Sequence, residues 1–425
     1  MKVLFLNDLA DPRIGSSVRQ MYQHARVLRA GGHETALLTA VQDPAQVGET
    51  QILGMRVVRV LSDYPVRFRS WVSLDNGRVR EPVAKLLADF RPDVVHSHLI
   101  HSHLGYATLT AARKAGAGVV FTAHDVMTFC YQKLTCFHGG EAKGGEENDV
   151  VARTSKCLPC QRLRFRPGRN AAIRKVLGRD VHRFTAVSDA LAEVLRANRV
   201  HVDRRVWNAI EPQPSLPAKV DVEGFRKARG LEEAQLIAIG GRLHEQKGVF
   251  QLLRMMQHLK DRFPRLQLLV MGKRDVYDRE FAAAASELGV ADRVVPTGWL
   301  DGDELQAAYA SLDVFVTPSI CFDTFGLVNL EAMEHGKPVV ATTFGGSREV
   351  VEHGVTGFIE NPFQIEAFAN RVGELLADGD RARSMGEAGR ARMQKLFRIE
   401  RLAAEFDEVY REAIAAASRA PQNAS

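Results

Sequence analysis

Cysteine is scarce in this chain. Five among 425 residues cannot form the disulfide framework that stabilises small secreted domains. Long apolar runs are missing too: none approaches the ~20 residues a helix needs to cross the hydrocarbon core of a bilayer, which excludes an integral helical membrane protein. The opening MKVLFLND meets Asp8 after a run far too short for a secretory h-region, so it reads as a first strand of a cytoplasmic protein. The loop after that strand, NDLADPRIGSSVRQ, has no G-x-G-x-x-G fingerprint, which argues against a nicotinamide enzyme. With 45% hydrophobic and 25% charged residues, the composition is that of an ordinary globular protein. The length suggests two domains.

Short runs rich in Val, Ile, Leu and Phe alternate with helical patterns almost throughout. VLFL (3–6), TALLT (35–39), DVVHSH (93–98), GVVFTAH (118–124) and RFTAVS (183–188) form one series. Near-continuous apolar strands are what a parallel sheet buried on both faces requires. Between the first two, Val18, Met21, Ala25 and Leu28 recur at helical spacing before Gly31 and Gly32, which gives a βαβ unit. Pro212, Pro214 and Pro217 then mark a linker. LIAIGG (236–241), LQLLVMG (266–272), RVVPTG (293–298), DVFVTPS (313–319) and PVVATT (338–343) supply a second series. The fold class is α/β: an N-terminal Rossmann-like domain over 1–210, with a Cys-containing insert at about 130–160, and a second over 211–396. A helical tail, 397–425, is expected to pack back on the first domain. Ligands of such doubly wound sheets sit at the carboxyl ends of the strands.

Gly15 lies near a helix start, where backbone can approach an anion and unpaired N–H groups face it. In GGRLHEQKG, Arg242 and Lys247 flank a turn between a strand and an apolar-periodic helix. A planar fork and a point charge at a sheet edge suit a diphosphate, although a solvated turn reads the same way. In CFDTFGLVNLEAMEHGKPVV (321–340), Asp323 and Glu331 have seven residues between them, Phe325, Gly326 and Leu327 included. Carboxylates accept from vicinal hydroxyls, and a glycine leaves the main chain uncovered for a ligand.

Together GGRLHEQKG, LVNLEAMEHGKPVVAT and GGSREVVEHGVTGF resemble the nucleotide-sugar-binding half of retaining GT-B glycosyltransferases of the GT4 group. RPDVVHSH and FTAHD have the look of that group's acceptor half. The resemblance implies two Rossmann-like domains facing across a cleft. Asp323 to Glu331 occupies the frame of the group's E-x7-E motif, with Asp in place of the usual first Glu. By resemblance, Asp323 sits by the hydroxyls of the donated sugar and Glu331 binds the nucleotide ribose. Backbone N–H groups of the turn at Phe325, Gly326 and Leu327 reach sugar and phosphates. Asp323 is shorter than Glu by one methylene, roughly 1.5 Å, which leaves room for a different sugar orientation or a bridging water. His124 would contact the donated sugar and Asp125 would orient the acceptor, while Arg242 and Lys247 would stabilise the leaving diphosphate. No catalytic cofactor is expected. His96, His98, His101, His103 and His138 are left without a role, some facing a cleft and some the core.

Two further patterns compete for attention. Asp301 and Asp303 form a D-x-D, a metal motif in a different glycosyltransferase class, but here the pair opens a helix, where acids cap and suit the dipole. Cys130, Cys136, Cys157 and Cys160 follow C-x5-C-x20-C-x2-C, which is open to a structural zinc site, to free thiols or to disulfides. Cys321 stands apart as a lone thiol. From 151 to 183 there are ten Lys/Arg against one acid, Asp180. That stretch suits an anionic membrane surface or a lipid-linked acceptor, or simply a solvated face.

The expectation is a metal-independent retaining glycosyltransferase using a nucleotide diphosphate sugar and a hydroxyl acceptor, cytoplasmic or peripheral on the inner face of a membrane. No nucleic acid is expected as a partner. Two alternatives share parts of the pattern. A sugar-nucleotide epimerase would use the same nucleotide-sugar half, and a zinc and RNA binding protein would use the cysteines and the basic stretch.

Overall fold

The computed structural model describes residues 1–13, 15–212 and 220–419. Pro214 and Pro217 of the expected linker, and the last residues of the tail, lie outside them. The chain divides into two compact units. The first comprises Met1–Leu134, Val150–Ala209 and Ile399–Ser425; the second comprises Thr135–Asp149 and Ile210–Arg398.

In the first unit the strands are β1 (Lys2–Leu6), β2 (Glu34–Val41), β3 (Gly48–Ile52), β4 (Met55–Leu61), β5 (Val94–Ser97), β6 (Gly118–Ala123), β7 (Arg183–Ala186) and β8 (Arg204–Arg205). They lie in the order β3-β4-β2-β1-β5-β6-β7-β8. All neighbours are parallel except β3 and β4. The β3–β4 hairpin is absent from the sequence reading. Its turn is Leu53-Gly54, both at positive φ (49° and 72°), and a Leu-Gly pair lacks the Asn or Asp that usually signals such a turn.

The helix Ser16–Ala30 buries Val18, Met21, Ala25 and Leu28, the spacing seen in the sequence. The last helix, Ile399–Arg419, returns to this unit. Its Leu402, Phe406, Val409, Tyr410 and Ala413 share a core with Val3, Phe5, Val94 and Val120. An amphipathic stripe of this kind gains most of its stability from such packing.

The second unit carries β9 (Gln235–Gly240), β10 (Leu266–Met271), β11 (Val294–Gly298), β12 (Val314–Thr317), β13 (Val339–Thr342) and β14 (Gly357–Glu360), all parallel in the order β11-β10-β9-β12-β13-β14. The strand order reverses direction at the β9–β12 neighbours, where an open α/β sheet leaves a crevice.

The insert is divided by the structure in a way the sequence did not suggest. Residues 135–149 belong to the second unit although the chain on either side belongs to the first. His138 Nε2 lies 2.7 Å from the Ile320 carbonyl oxygen, and its ring stacks on Phe344 at 5.1 Å. Asn361 Nδ2 donates to the Gly144 carbonyl at 2.8 Å, and Arg254 pairs with Glu141.

Candidate active site

Strand β9 delivers Arg242 and Lys247 on a tight turn. A short 3-10 turn, Glu245–Lys247, is opened by His244, whose Nδ1 accepts from the Gln246 N–H at 3.2 Å. Gly248 follows at φ 77°, and a Cβ there would stand 1.8 Å from the Pro318 carbonyl oxygen, so only glycine lets this turn lie directly on the end of β12. The Gln246 carbonyl then accepts from the N–H groups of Ile320 and Cys321 at 3.0 and 3.2 Å. The loops after β9 and β12 are thereby one hydrogen-bonded body. Lys247 is half-buried and Arg242 exposed. The Asp323 carboxylate raises the Lys247 ammonium above the usual lysine range, against burial and the repulsion of Arg242.

The loop after β12 is fixed at its own end as well. The Asp323 N–H donates to the Phe344 carbonyl at 3.0 Å and its carbonyl accepts from Gly346 at 2.6 Å, which ties it to the loop after β13. Asp323 is 8% exposed. Ser347 Oγ lies 3.3 Å from its Oδ2. Asn329, fully buried, accepts from Thr317 Oγ1 at 2.9 Å and donates to Ser347 Oγ at 3.2 Å. Thr317, Asn329, Ser347 and Asp323 form one polar chain. The sequence reading missed the middle of it, since a lone Asn and Ser carry no signal without the fold.

Gly326 opens the helix Leu327–Glu334 at φ 81°. A Cβ there would meet Asn329 Nδ2 at 2.5 Å and Ser347 Oγ at 2.8 Å. The glycine is required by conformation and by this polar neighbourhood, a reason additional to ligand approach. Phe325 is 1% exposed and edge-on to Phe397 at 5.8 Å, and Leu327 is also buried. Their side chains are core, so what this turn can offer a ligand is backbone N–H at a helix start. Glu331 is half-buried and its Oε2 accepts from Tyr309 OH at 2.9 Å. The structure thus gathers Arg242, Lys247, Asp323 and Glu331 around the carboxyl ends of two neighbouring strands.

The first unit holds the remaining candidates. His124, after β6, is 8% exposed, and its Nε2 lies 2.7 Å from His98 Nδ1. Burial lowers the His124 imidazole to about 4, with Asp125 opposing. Asp125 accepts from the Met127 N–H at 2.8 Å and lies 3.2 Å from His101 Nε2. Burial pushes Asp125 up, but His101 and the Met127 N–H outweigh it and hold the carboxyl below its ordinary value. His96 Nδ1 and Nε2 lie 2.7 Å from Tyr410 OH and Thr122 Oγ1. His96, His98 and His101 are all buried, and His103 is half-buried. Gly15 is the first-residue cap of Ser16–Ala30, at φ 105°. Asp8, which had no assigned role, is buried and accepts from the N–H groups of Ser102, His103 and Leu104 at 2.7, 3.1 and 2.8 Å. It shapes the loop after β5.

Asp301 occupies the cap position of the helix Gly302–Ser311, but its side chain makes no capping hydrogen bond. Glu304 of the first turn pairs with Arg229. Cys130, Cys157 and Cys160 belong to the first unit and Cys136 to the second. None of the four forms a disulfide. Among the described residues no three His, Cys, Asp or Glu side chains are grouped to hold a metal ion.

Comparison with known proteins bears on the family and the fold. Residues 221–392 match the family "Glycosyl transferases group 1" and residues 17–210 match "Glycosyltransferase Family 4". Alpha-maltose-1-phosphate synthase of Mycolicibacterium smegmatis is 34% identical over 75% of this chain and 78% of its own. A GDP-mannose-dependent phosphatidylinositol monomannoside mannosyltransferase of the same organism is 36% identical over 41% of this chain. The match spans about half the length of that relative, 50%. Among solved structures, sucrose-phosphate synthase from Thermosynechococcus elongatus superposes with a TM-score of 0.75 at 21% identity, covering 98% of this chain and 100% of that one. Anabaena HepE in complex with UDP-glucose gives 0.68 at 19%, covering 96% and 99%. The fold is GT-B, with two Rossmann-like units. The chain belongs to the group 1, or family 4, glycosyltransferases.

Proposed function

We propose that this chain transfers a sugar from a nucleotide diphosphate sugar to a hydroxyl acceptor with retention of configuration and without a catalytic metal. The observation that carries the reading is the joined pair of loops that sets Arg242 and Lys247 beside Asp323. Two cations there stabilise charge on the departing diphosphate, which is the largest kind of catalytic contribution open to such a site. Asp323 accepts from sugar hydroxyls and Glu331 from the ribose, with the helix start at Gly326 facing the phosphates. A neutral His124 offers a lone pair toward positive charge at the reacting carbon, and Asp125 orients the acceptor. The acceptor hydroxyl attacks from the side the leaving group departs, and a phosphate oxygen takes its proton, so no enzyme nucleophile is needed.

The named relatives span GDP-mannose and maltose-1-phosphate chemistry, and solved neighbours hold UDP and UDP-glucose. They support a nucleotide sugar while leaving its base open. A lipid-linked acceptor and peripheral contact with an anionic membrane are part of the proposal. They are supported by the basic stretch 151–183 and by Leu158 and Leu163, exposed at 48% and 97%. No helix among the described residues is long and apolar enough to cross a membrane.

The test is a panel of UDP-, GDP- and ADP-sugars read by thermal shift and by transfer to acceptors. A bound ligand at about 100 times its dissociation constant stabilises by ~2.7 kcal/mol. No shift with any member would overturn the reading. Epimerisation of the nucleotide sugar in the absence of acceptor would replace it with an isomerase.

A further inference from the structure

The first unit carries a cavity, walled in part by the basic stretch, that the nucleotide-sugar constellation does not use. It has a volume of about 490 Å³, the size of a small-molecule site. Five arginines line it: Arg153, Arg166, Arg169, Arg174 and Arg199. Among the described residues that line it there is no Asp or Glu. The helix Arg169–Asp180 begins here, capped by Gly168, and points its N-terminal end at the same space.

Arg169 is the informative member. It is 3% exposed, and a guanidinium cannot lose its charge to relieve burial. Its Nη2 donates to the Met127 carbonyl at 2.7 Å and its Nη1 to Asn170 Oδ1 at 2.9 Å. The Tyr131 ring lies 4.6 Å from Cζ. Its Nε has no hydrogen-bond partner. Its positive charge also reaches Arg69, whose guanidinium is lowered chiefly by burial and next by Arg169. A buried guanidinium with one orphan N–H, set among like charges that repel one another, is an arrangement completed by an anion.

We propose that this cavity binds the phosphate group of a phosphorylated ligand, held by Arg169 from beneath and by Arg166, Arg174 and Arg199 around the rim. The planar forks match phosphate oxygens in pairs, and the helix start adds N–H groups of the same sense. The site lies wholly in the first unit and stands independently of the nucleotide-sugar constellation.

Cys157 lines the cavity and provides a local probe. Its rate of alkylation is measured by mass spectrometry, with the exposed Cys136 as internal reference. The two phosphate sources are glycerol 3-phosphate and phosphatidylcholine vesicles with or without phosphatidylglycerol. We expect saturating phosphate ester to slow Cys157 alkylation about tenfold, the effect of one charge-assisted contact. Protection by glycerol 3-phosphate identifies a soluble ester, and protection only by phosphatidylglycerol vesicles identifies a lipid headgroup. The Arg174→Gln/Arg199→Gln double variant, altered at the rim, should lose the protection while melting normally, and Arg169→Gln should lose it as well. Arg242→Ala should keep it, so loss of sugar transfer and loss of this site are separable. Protection by neither probe overturns the proposal. So does equal protection by sodium chloride of the same ionic strength, or protection unchanged in the double variant.

Discussion

Ser347 Oγ stands 3.3 Å from Asp323 Oδ2, so one oxygen of the carboxylate is oriented by the protein before any sugar arrives. Asp323→Asn keeps the shape and removes the charge, and a charge-assisted hydrogen bond is worth ~1.5 to 3 kcal/mol. Sugar transfer should fall about tenfold to a hundredfold, while binding of the free nucleoside diphosphate barely changes. Asp323→Glu pushes the carboxylate toward the sugar and should alter donor preference more than folding. Ratios of kcat/KM between competing donor sugars check both; unaltered ratios and rates would place Asp323 outside the sugar site.

Lys247 owes its raised value first to Asp323. Arg242→Ala and Lys247→Ala should each lower turnover by roughly 10² or more with the protein still folded. Since Asp323→Asn removes the charge that favours the ammonium, it should also move any alkaline fall in the rate to lower pH. Rate profiles of wild type and variant check this, and near-normal turnover in a folded double alanine variant would remove the two cations from the mechanism.

The buried histidines make the first unit acid-sensitive. Burial lowers His24 to about 3 and His124 to about 4, and His96 and His98 are lowered in the same sense. Below the ordinary value of 6.5 the unfolded chain binds protons at these rings that the folded chain refuses. Stability therefore falls as pH drops from about 6.5 towards 4, by up to ~1.4 kcal/mol per pH unit for each such ring. Denaturant midpoints between those pH values should decline steeply, and His24→Phe, which keeps an aromatic against Phe406 and Tyr410, should flatten the decline. A flat wild-type curve would contradict it.

Gly248→Ala combines a disfavoured φ with an overlap on the Pro318 carbonyl. It should destabilise the second unit by more than about 2 kcal/mol and loosen Lys247. Chemical denaturation and affinity for the nucleoside diphosphate should both show the loss; unchanged values in both would mean that the two loops are not one body.

Transfer should survive brief chelation, because the proposed reaction uses no catalytic metal, and the zinc content of protein purified without chelator tests whether Cys130, Cys136, Cys157 and Cys160 hold an ion. Stoichiometric zinc would restore the staple that the cysteine spacing suggested, and an absolute need for manganese would bring back Asp301 and Asp303.

The sequence by itself determined the parallel strands of both sheets and the loops that carry Arg242, Lys247, Asp323 and Glu331. Buried parallel strands must be apolar along their whole length, and a glycine-bounded turn that carries a cation or a carboxylate is legible as a local pattern. Arg242 and Lys247 lie within seven residues of the end of β9, and Asp323 and Glu331 share one turn and helix, so short-range spacing was enough. Tertiary structure alone decided what those groups touch. Asn329 joins Asp323 through Ser347, eighteen residues further along. His138 reaches Ile320 across 182 residues, and His98 reaches His124 between neighbouring loops. Contacts of this kind leave no periodicity in the chain, because each is fixed by which strands lie side by side. The cavity around Arg169 has the same origin: four of its arginines belong to the 151–183 charge run, and only the fold adds Arg199, buries Arg169 and leaves its Nε without a hydrogen-bond partner.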